Sequence, residues 1–441
     1  MRRRLLLILF AAGVAAGLVI VVLLSPRGPG RVVFANGSQV EFLGTTISNQ
    51  VFSTEKRGYK LARRWLPSRW SAWLPPVVSG TCWNGTNSIT VFLRLTDPSG
   101  GVARGNMPWA SYVTEDDSGF RYPRVGGYCS FGGSATAQVI GLTLTSYPRR
   151  QSDFTFHFLD ARHTVLGSLR IPNPVRGSFP RWQPRGIPQS QTNGPVVLTL
   201  ESIQETGSEP WLSLLPKWKI TSTNSAWANA TPKPLTLHDA TGNEGPWLSP
   251  REPAWKARTA VHRNSADEFE ARERLLISNL TVPTNGAFVA IDKVAELAGV
   301  NIKVHLLAGA GRLFRTNGVS FGIVPPVPGE GGNGSSSYGN GQRVEFWGSE
   351  KPFLFVETQN IEPDDEVRFR LFDDRGREMK LSDPNGYHGS SNGGRLYQRE
   401  FTPPDGAGPI SFEIIVSRPL LFEFMVDPKE VQPRKPKTNS R

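Results

Sequence analysis

The chain has little of what catalysis by thiols, imidazoles or nucleotides requires. Only two cysteines and six histidines occur among 441 residues. Neither Cys82 nor Cys129 belongs to a C-x-x-C pair, which excludes a zinc ribbon or a thioredoxin-type redox motif. The histidines (His157, His163, His238, His262, His305 and His388) form no H-x-H or H-E-x-x-H pair, so no metal site is expected. Gly309-Ala310-Gly311 lacks the third glycine of a dinucleotide fingerprint, and no phosphate-binding G-x-x-x-x-G-K-[S/T] loop occurs. No cofactor is implied. Helical periodicity is scarce as well, and only 20% of residues are charged.

What is present points to strands and to a membrane. Gly and Pro are abundant, at 45 and 36 residues, while 24 Phe supply enough apolar bulk for real cores. Leu5 to Leu24 is unbroken by charge and has the length of about 20 residues that spans a bilayer as a helix. Arg2, Arg3 and Arg4 precede it and outweigh Arg27 and Arg31, so the positive-inside rule places the N-terminus in the cytoplasm. The run ends Val21-Val22-Leu23-Leu24-Ser25-Pro26, without a small-residue cleavage pattern. The expectation is an uncleaved signal-anchor through residues 5–24, a single-pass protein with its bulk extracytoplasmic, periplasmic or at the cell surface. In that compartment Cys82 and Cys129 would persist as a disulfide; two buried thiols are the alternative.

Beyond the anchor, alternation with turn residues dominates. Val32-Val33-Phe34 and Val40-Glu41-Phe42 flank Asn36-Gly37 as a hairpin. Phe154, Phe156 and Phe158 form one half-buried strand, and Val367, Phe369 and Leu371 another. Strand-like runs end in Asp-x-x-Gly at Asp97, Asp116, Asp239 and Asp373, with looser copies at Asp383 and Asp405 and a variant at Asp160–His163. Asp caps such turns through its side chain, and Gly supplies the left-handed residue. The variant sets His157 opposite Leu166. The fold class expected is mainly β, with about three β-sandwich (Ig-like) domains after the helix. Composition divides the chain into residues 1–30 (anchor and flank), 31–188 and 189–328 (two sandwiches), 329–341 (a Gly/Ser-rich linker), 342–428 (a third sandwich) and 429–441 (a basic disordered tail). Two short helices are expected, from Tyr59 to Leu66 and from Ser265 to Arg274.

Three sequence features offer chemistry. Gly389-Ser390-Ser391-Asn392-Gly393 matches G-x-S-x-G, but no apolar helix follows to make a nucleophile elbow, so a loop is expected. The carboxylates at Glu115-Asp116-Asp117, Glu362–Glu366 and Asp373-Asp374 read as solvated turn acids. The richest constellation runs from Lys56 to Trp73, where Lys60, Arg63, Arg64, Trp65, Arg69 and Trp70 combine cations with large aromatics. Such a segment suits an anionic envelope lipid or glycan; nucleic acid is not an expected partner. The bland alternative packs Leu61 and Trp65 on the first domain and leaves the cations in water. Trp182, Trp211, Trp247 and Trp255 are expected to fill cores.

Tyr147-Pro148-Arg149-Arg150, Ile171-Pro172-Asn173-Pro174 and His238-Asp239-Ala240-Thr241-Gly242-Asn243 complete the pattern. With them the layout resembles uncharacterised single-pass bacterial membrane proteins with a large β-rich extracytoplasmic region. The resemblance implies compartment and architecture, and no activity. The function expected is binding or scaffolding at the cell envelope, without catalysis. The alternative is a glycan-processing hydrolase whose carboxylates come from separate domains, since glycosidase acids lie far apart in sequence.

Overall fold

A computed structural model describes residues 30–432 except 56–59, 61–62, 66–76, 81, 83–86, 98–106, 123–126, 135–136, 176, 207–212, 247, 265–268, 318–319, 326–333, 338–342, 383–389, 392–393 and 404–407. The structure is mainly β, with 58% of it in strands against 4% helix. Among the described residues no helix is long and apolar enough to cross a membrane, and the run 5–24 lies outside them.

Among the described residues the strands enclose several cores, of which three are the largest. Around the first, an antiparallel sheet in the order Arg31–Val33, Gln39–Ile47, Ile89–Thr96, Ala137–Leu144, Tyr128–Ser134 faces a second in the order Val165–Pro172, Asp153–Leu159, Ser111–Glu115, Arg121–Tyr122. Val91, Leu93 and Ile140 of one sheet meet Tyr112, Phe156 and Phe158 of the other, so alternation buries one face of each. The hairpin expected at Asn36-Gly37 is present, with Val32 opposite Val40 and Gly37 at φ 82°.

The second core lies between the sheet Gln189–Asn193, Val196–Thr206, Ser213–Ser222 and a sheet centred on Trp255–His262. That central strand pairs with Thr236–Asp239 on one side and with the distant Leu420–Val426, from Trp255↔Val426 to Val261↔Leu420, on the other. Trp255 is fully buried in this core, at the start of its central strand. The third core is built from the chain between those two partners. Arg274–Leu280, Ile410–Ser417, Glu366–Phe372 and Glu378–Met379 form one of its sheets. Phe288–Leu297, Val300–Ala308, Phe353–Gln359, Gly394–Glu400 and Ser390–Ser391 form the other.

Hydrogen bonding therefore groups the strands differently from composition. Strands before position 328 pair with strands after 342, and the strand from Leu420 returns to the second core. The expected linker 329–341 contains a strand, Gly334–Ser337, paired with Arg343–Ser349. Glycine and serine lower strand propensity but still offer a full set of backbone donors and acceptors, and the neighbouring edge takes them. The first residues of the expected tail are part of the fold. Val431 is buried on the second core, and Gln432 exchanges backbone hydrogen bonds with Ile203 and Glu205 at 3.0 Å; residues 433–441 lie outside the described ones. Of the second short helix, residues 265–268 lie outside the described ones, and the described part holds a 3-10 turn, Ala271–Glu273, boxed by Glu270 and Glu273, before the strand begins at Arg274.

The Asp turns share one geometry. Asp116, Asp160, Asp239 and Asp373 each accept through Oδ1 the N–H groups two and four residues on, at 2.8–3.0 Å. The residue three positions on is left-handed in all four: Gly119, His163, Gly242 and Gly376, at φ 83°, 62°, 93° and 73°. This is a three-residue hairpin loop ending in a glycine bulge, with His163 standing in once. The turn closes on Thr164 rather than His163, and a register shift beside Leu159 adds a second position, so Ser168, not Leu166, lies opposite His157.

Cys82 and Cys129 are bonded to each other, with Cα atoms 6.0 Å apart and a sequence separation of 47. Gly141 runs beneath the bridge, where a Cβ would come within 2.7 Å and 2.8 Å of the two sulfurs. Closing a loop of that length removes unfolded-state entropy. Replacing both cysteines by serine is expected to lower the stability of the first core by about 2–4 kcal/mol. Urea denaturation with and without reductant checks this, and an unshifted midpoint in the double variant would contradict it.

Candidate functional site

Three places bring chemistry-bearing residues together. The first is the basic segment. Phe52–Ser53 pairs with Ser79–Gly80, and Phe52 stacks on Phe92 at 3.9 Å between ring centroids. Beyond that rung Thr54 N–H donates to the Val78 carbonyl at 3.0 Å, and Val78 N–H to Thr54 Oγ1 at 2.9 Å. The chain thus leaves this rung at Thr54 and returns to it at Val78, a clamped base for the excursion that carries the described Lys60 and Arg63 to Trp65, with the Cys82–Cys129 bridge just behind. Lys60 and Arg63 to Trp65 are helical; Arg63 lies 3.4 Å from Glu55, while Lys60 and Arg64 are exposed. Trp65 is 80% exposed, so it does not pack on the first core as the bland alternative required. Leu61, Arg69 and Trp70 lie outside the described residues.

The second place joins the first and second cores. Asn243, held by the Asp239 turn, accepts through Oδ1 from Tyr147 N–H at 3.0 Å and Arg149 Nε at 2.9 Å. Its Nδ2 donates to the Tyr147 carbonyl at 3.0 Å and Asp239 Oδ2 at 2.9 Å. Asn173 Nδ2 reaches the carbonyls of Pro148, Arg149 and Gln151. Arg150 makes a two-pronged pair with Glu252 at 2.6 and 2.8 Å. Burial holds the Arg149 guanidinium below its ordinary pKa and pushes the Tyr122 phenol, bonded to Ser249, well above the tyrosine range. All three segments that carry the resemblance meet here. A desolvated network spent on its own members is a joint rather than a ligand site.

The third place was not anticipated. A cleft of about 600 Å³ opens between the second and third cores, lined by Lys233, Thr236, His238, Glu244, Arg258 and His262 on one wall and Asp364, Glu366, Arg395 and Tyr397 on the other. Arg258 pairs closely with Asp364, and Lys233 lies 3.5 Å from Glu366. His262 Nδ1 is 3.2 Å from Ser417 Oγ and 3.5 Å from Glu366. Burial depresses the His262 pKa. Burial opposes ionisation of Glu366, but Arg368 at 2.9 Å, with Lys233 and His262, holds its carboxyl below the ordinary value. The Glu362–Glu366 acids are therefore partly paired across the cleft rather than simply solvated. No local pattern signals this, because their partners lie more than a hundred residues away.

Hydrolytic arrangements are incomplete. Ser168 Oγ lies 2.7 Å from His157 Nδ1, and His157 Nε2 lies 3.3 Å from Glu115. Ser168, however, sits within an extended strand, without the strained turn that exposes a nucleophile. His305 Nε2 meets Glu357 at 3.1 Å, but its Nδ1 is buried with no partner among the described residues. Ser390 and Ser391 form a short strand paired with Gly394 and Arg395, and a strand rather than a helix follows. Among the described residues no three His, Cys, Asp or Glu side chains are grouped as a metal ion requires. No family model, curated protein or solved structure matches the chain.

Proposed function

We propose that the protein is a single-pass, membrane-anchored extracytoplasmic protein of β-sandwich units that binds or scaffolds at the cell envelope. In this reading residues 5–24 hold it in the membrane, and the clamped excursion touches an anionic lipid or glycan surface. The observation that carries it is Trp65, exposed beside Lys60 and Arg64 on a segment whose base is fixed by the Thr54–Val78 bonds and the neighbouring bridge. A side chain as apolar as Trp, left in water next to cations, matches how interfacial segments grip a headgroup layer. Paired facing sheets support the sandwich architecture, and the bridged cysteines support an oxidising compartment.

The hydrolase reading has one point in its favour: Glu244 and Glu366 reach the same cleft from different cores. A glycosidase acid needs a raised pKa, and Glu366 is shifted the opposite way. Binding is the better account. Residues 30–441 are expected to bind phosphatidylglycerol vesicles and to release them as salt rises. Each Lys or Arg near such a surface contributes about 1 kcal/mol, so K60Q/R63Q/R64Q should lose roughly ten- to a hundredfold in affinity. Sedimentation with anionic and with phosphatidylcholine vesicles measures this. Unchanged retention of the triple variant would remove the segment as the contact.

A further inference from the structure

We infer that the cleft between the second and third cores is a binding site for a neutral, hydroxyl-rich ligand, a short oligosaccharide chain. Clefts between packed units are where ligand sites concentrate, and about 600 Å³ lies within the range that holds a small molecule. Charges of both signs line it, yet those facing each other are matched: Arg258 with Asp364, and Lys233 with Glu366. Arg395 is spent on the carbonyls of Glu362, Pro363 and Asp365 at 3.0–3.1 Å. An ionic ligand would have to break such pairs without a net field to draw it in. A purely apolar ligand would strand the same groups out of water, at a cost for every donor and acceptor it covered.

A sugar meets neither obstacle. Its hydroxyls accept from ammonium and imidazole groups and donate to carboxylates, so they add to paired charges instead of displacing partners. Glu244 and His238 are the groups best placed to receive them. They are 3.9 Å apart, beyond hydrogen-bond distance, and their side chains keep 62% and 27% of their exposure. Pro234, Ala260, Pro363 and Val367 interrupt the polar lining and offer apolar surface to the C–H faces of a pyranose ring. The walls come from different units, so a bound chain would bridge the inserted core to its host.

This site lies apart from the excursion on the first core, so its failure and the failure of the membrane contact are separate results. The test titrates the full-length chain in lipid nanodiscs with cellotetraose, maltotetraose and chitotetraose, read by calorimetry. At least one is expected to bind with a Kd of about 1 mM or tighter. E244A and H238A should each weaken it at least tenfold, while K217A, outside the cleft, leaves it unchanged. Raising NaCl from about 50 to about 500 mM should alter the affinity less than twofold, because no ion pair is exchanged with the ligand. Absence of binding by all three sugars, binding that survives both cleft variants, or a steep loss with salt would each overturn the inference.

Discussion

Replacing Asn243 with Leu is expected to cost about 3–5 kcal/mol, because it leaves Arg149 Nε, the Tyr147 N–H and Asp239 Oδ2 buried without the amide that satisfies them. Asn243 is 1% exposed and supplies the acceptor for Arg149 Nε, whose Nη2 reaches the Asn87 and Thr145 carbonyls, and a donor to Asp239. Leucine fills a similar volume, so the loss is polar satisfaction rather than packing. The first and second cores share this network, and both should melt earlier in calorimetry. Removing the guanidinium as well, in N243L/R149L, should recover part of the loss, since Arg149 Nε would no longer be a buried donor without an acceptor. A cost below about 1 kcal/mol for N243L alone would mean that solvent reaches the joint and already satisfies these groups.

Ending the chain before Leu420 is expected to unfold the second core altogether. The deletion removes Phe422, Phe424 and Val426, all buried against Trp255 and its neighbours. Each large apolar side chain lost from a core costs about 2–5 kcal/mol, so three approach the whole stability of a domain. The Trp255–His262 strand would also lose its partner along seven registered pairs. Ending the chain after Gln432 should change little. Hydrogen exchange on the two truncations distinguishes them: amides of Val196–Thr206 should lose protection only in the shorter one. Retained protection there would show that the remaining sheet closes the core unaided.

The local part of this fold could be read from sequence, and the non-local part could not. The Asp turns were visible because one side chain and one left-handed residue set the geometry within five positions. The faces of Asp153–Leu159 and Glu366–Phe372 followed from alternation, with Phe156 and Leu371 fully buried. The pairing of Leu420–Val426 with Trp255–His262 had no such signal, since hydrogen-bond register carries no composition. The polar segments around Tyr147, Asn173 and Asp239 stood out as runs, but only the folded chain shows that they meet. For the basic segment, residue type was legible while exposure was not. A Trp four residues from a Leu suggests packing, and the short turn leaves Trp65 in water instead. The cleft was hidden for the same reason as the strand pairing, because each cross-wall pair joins residues over a hundred positions apart.

The return of the final strand to Trp255–His262 also sets an order of assembly. As the chain emerges N-terminus first, the first core has all its strands once Val165–Pro172 is out. The second then waits with Trp255, Ala257 and Val261 open along one edge while the whole third unit is made. The third core is complete with Ile410–Ser417, a few residues before the missing strand arrives. Its own closure brings Ser417 beside His262 and so delivers Leu420 to the waiting edge. A slow or misfolded third unit therefore leaves an unpaired apolar edge on its host, the kind of surface on which chains pair with one another.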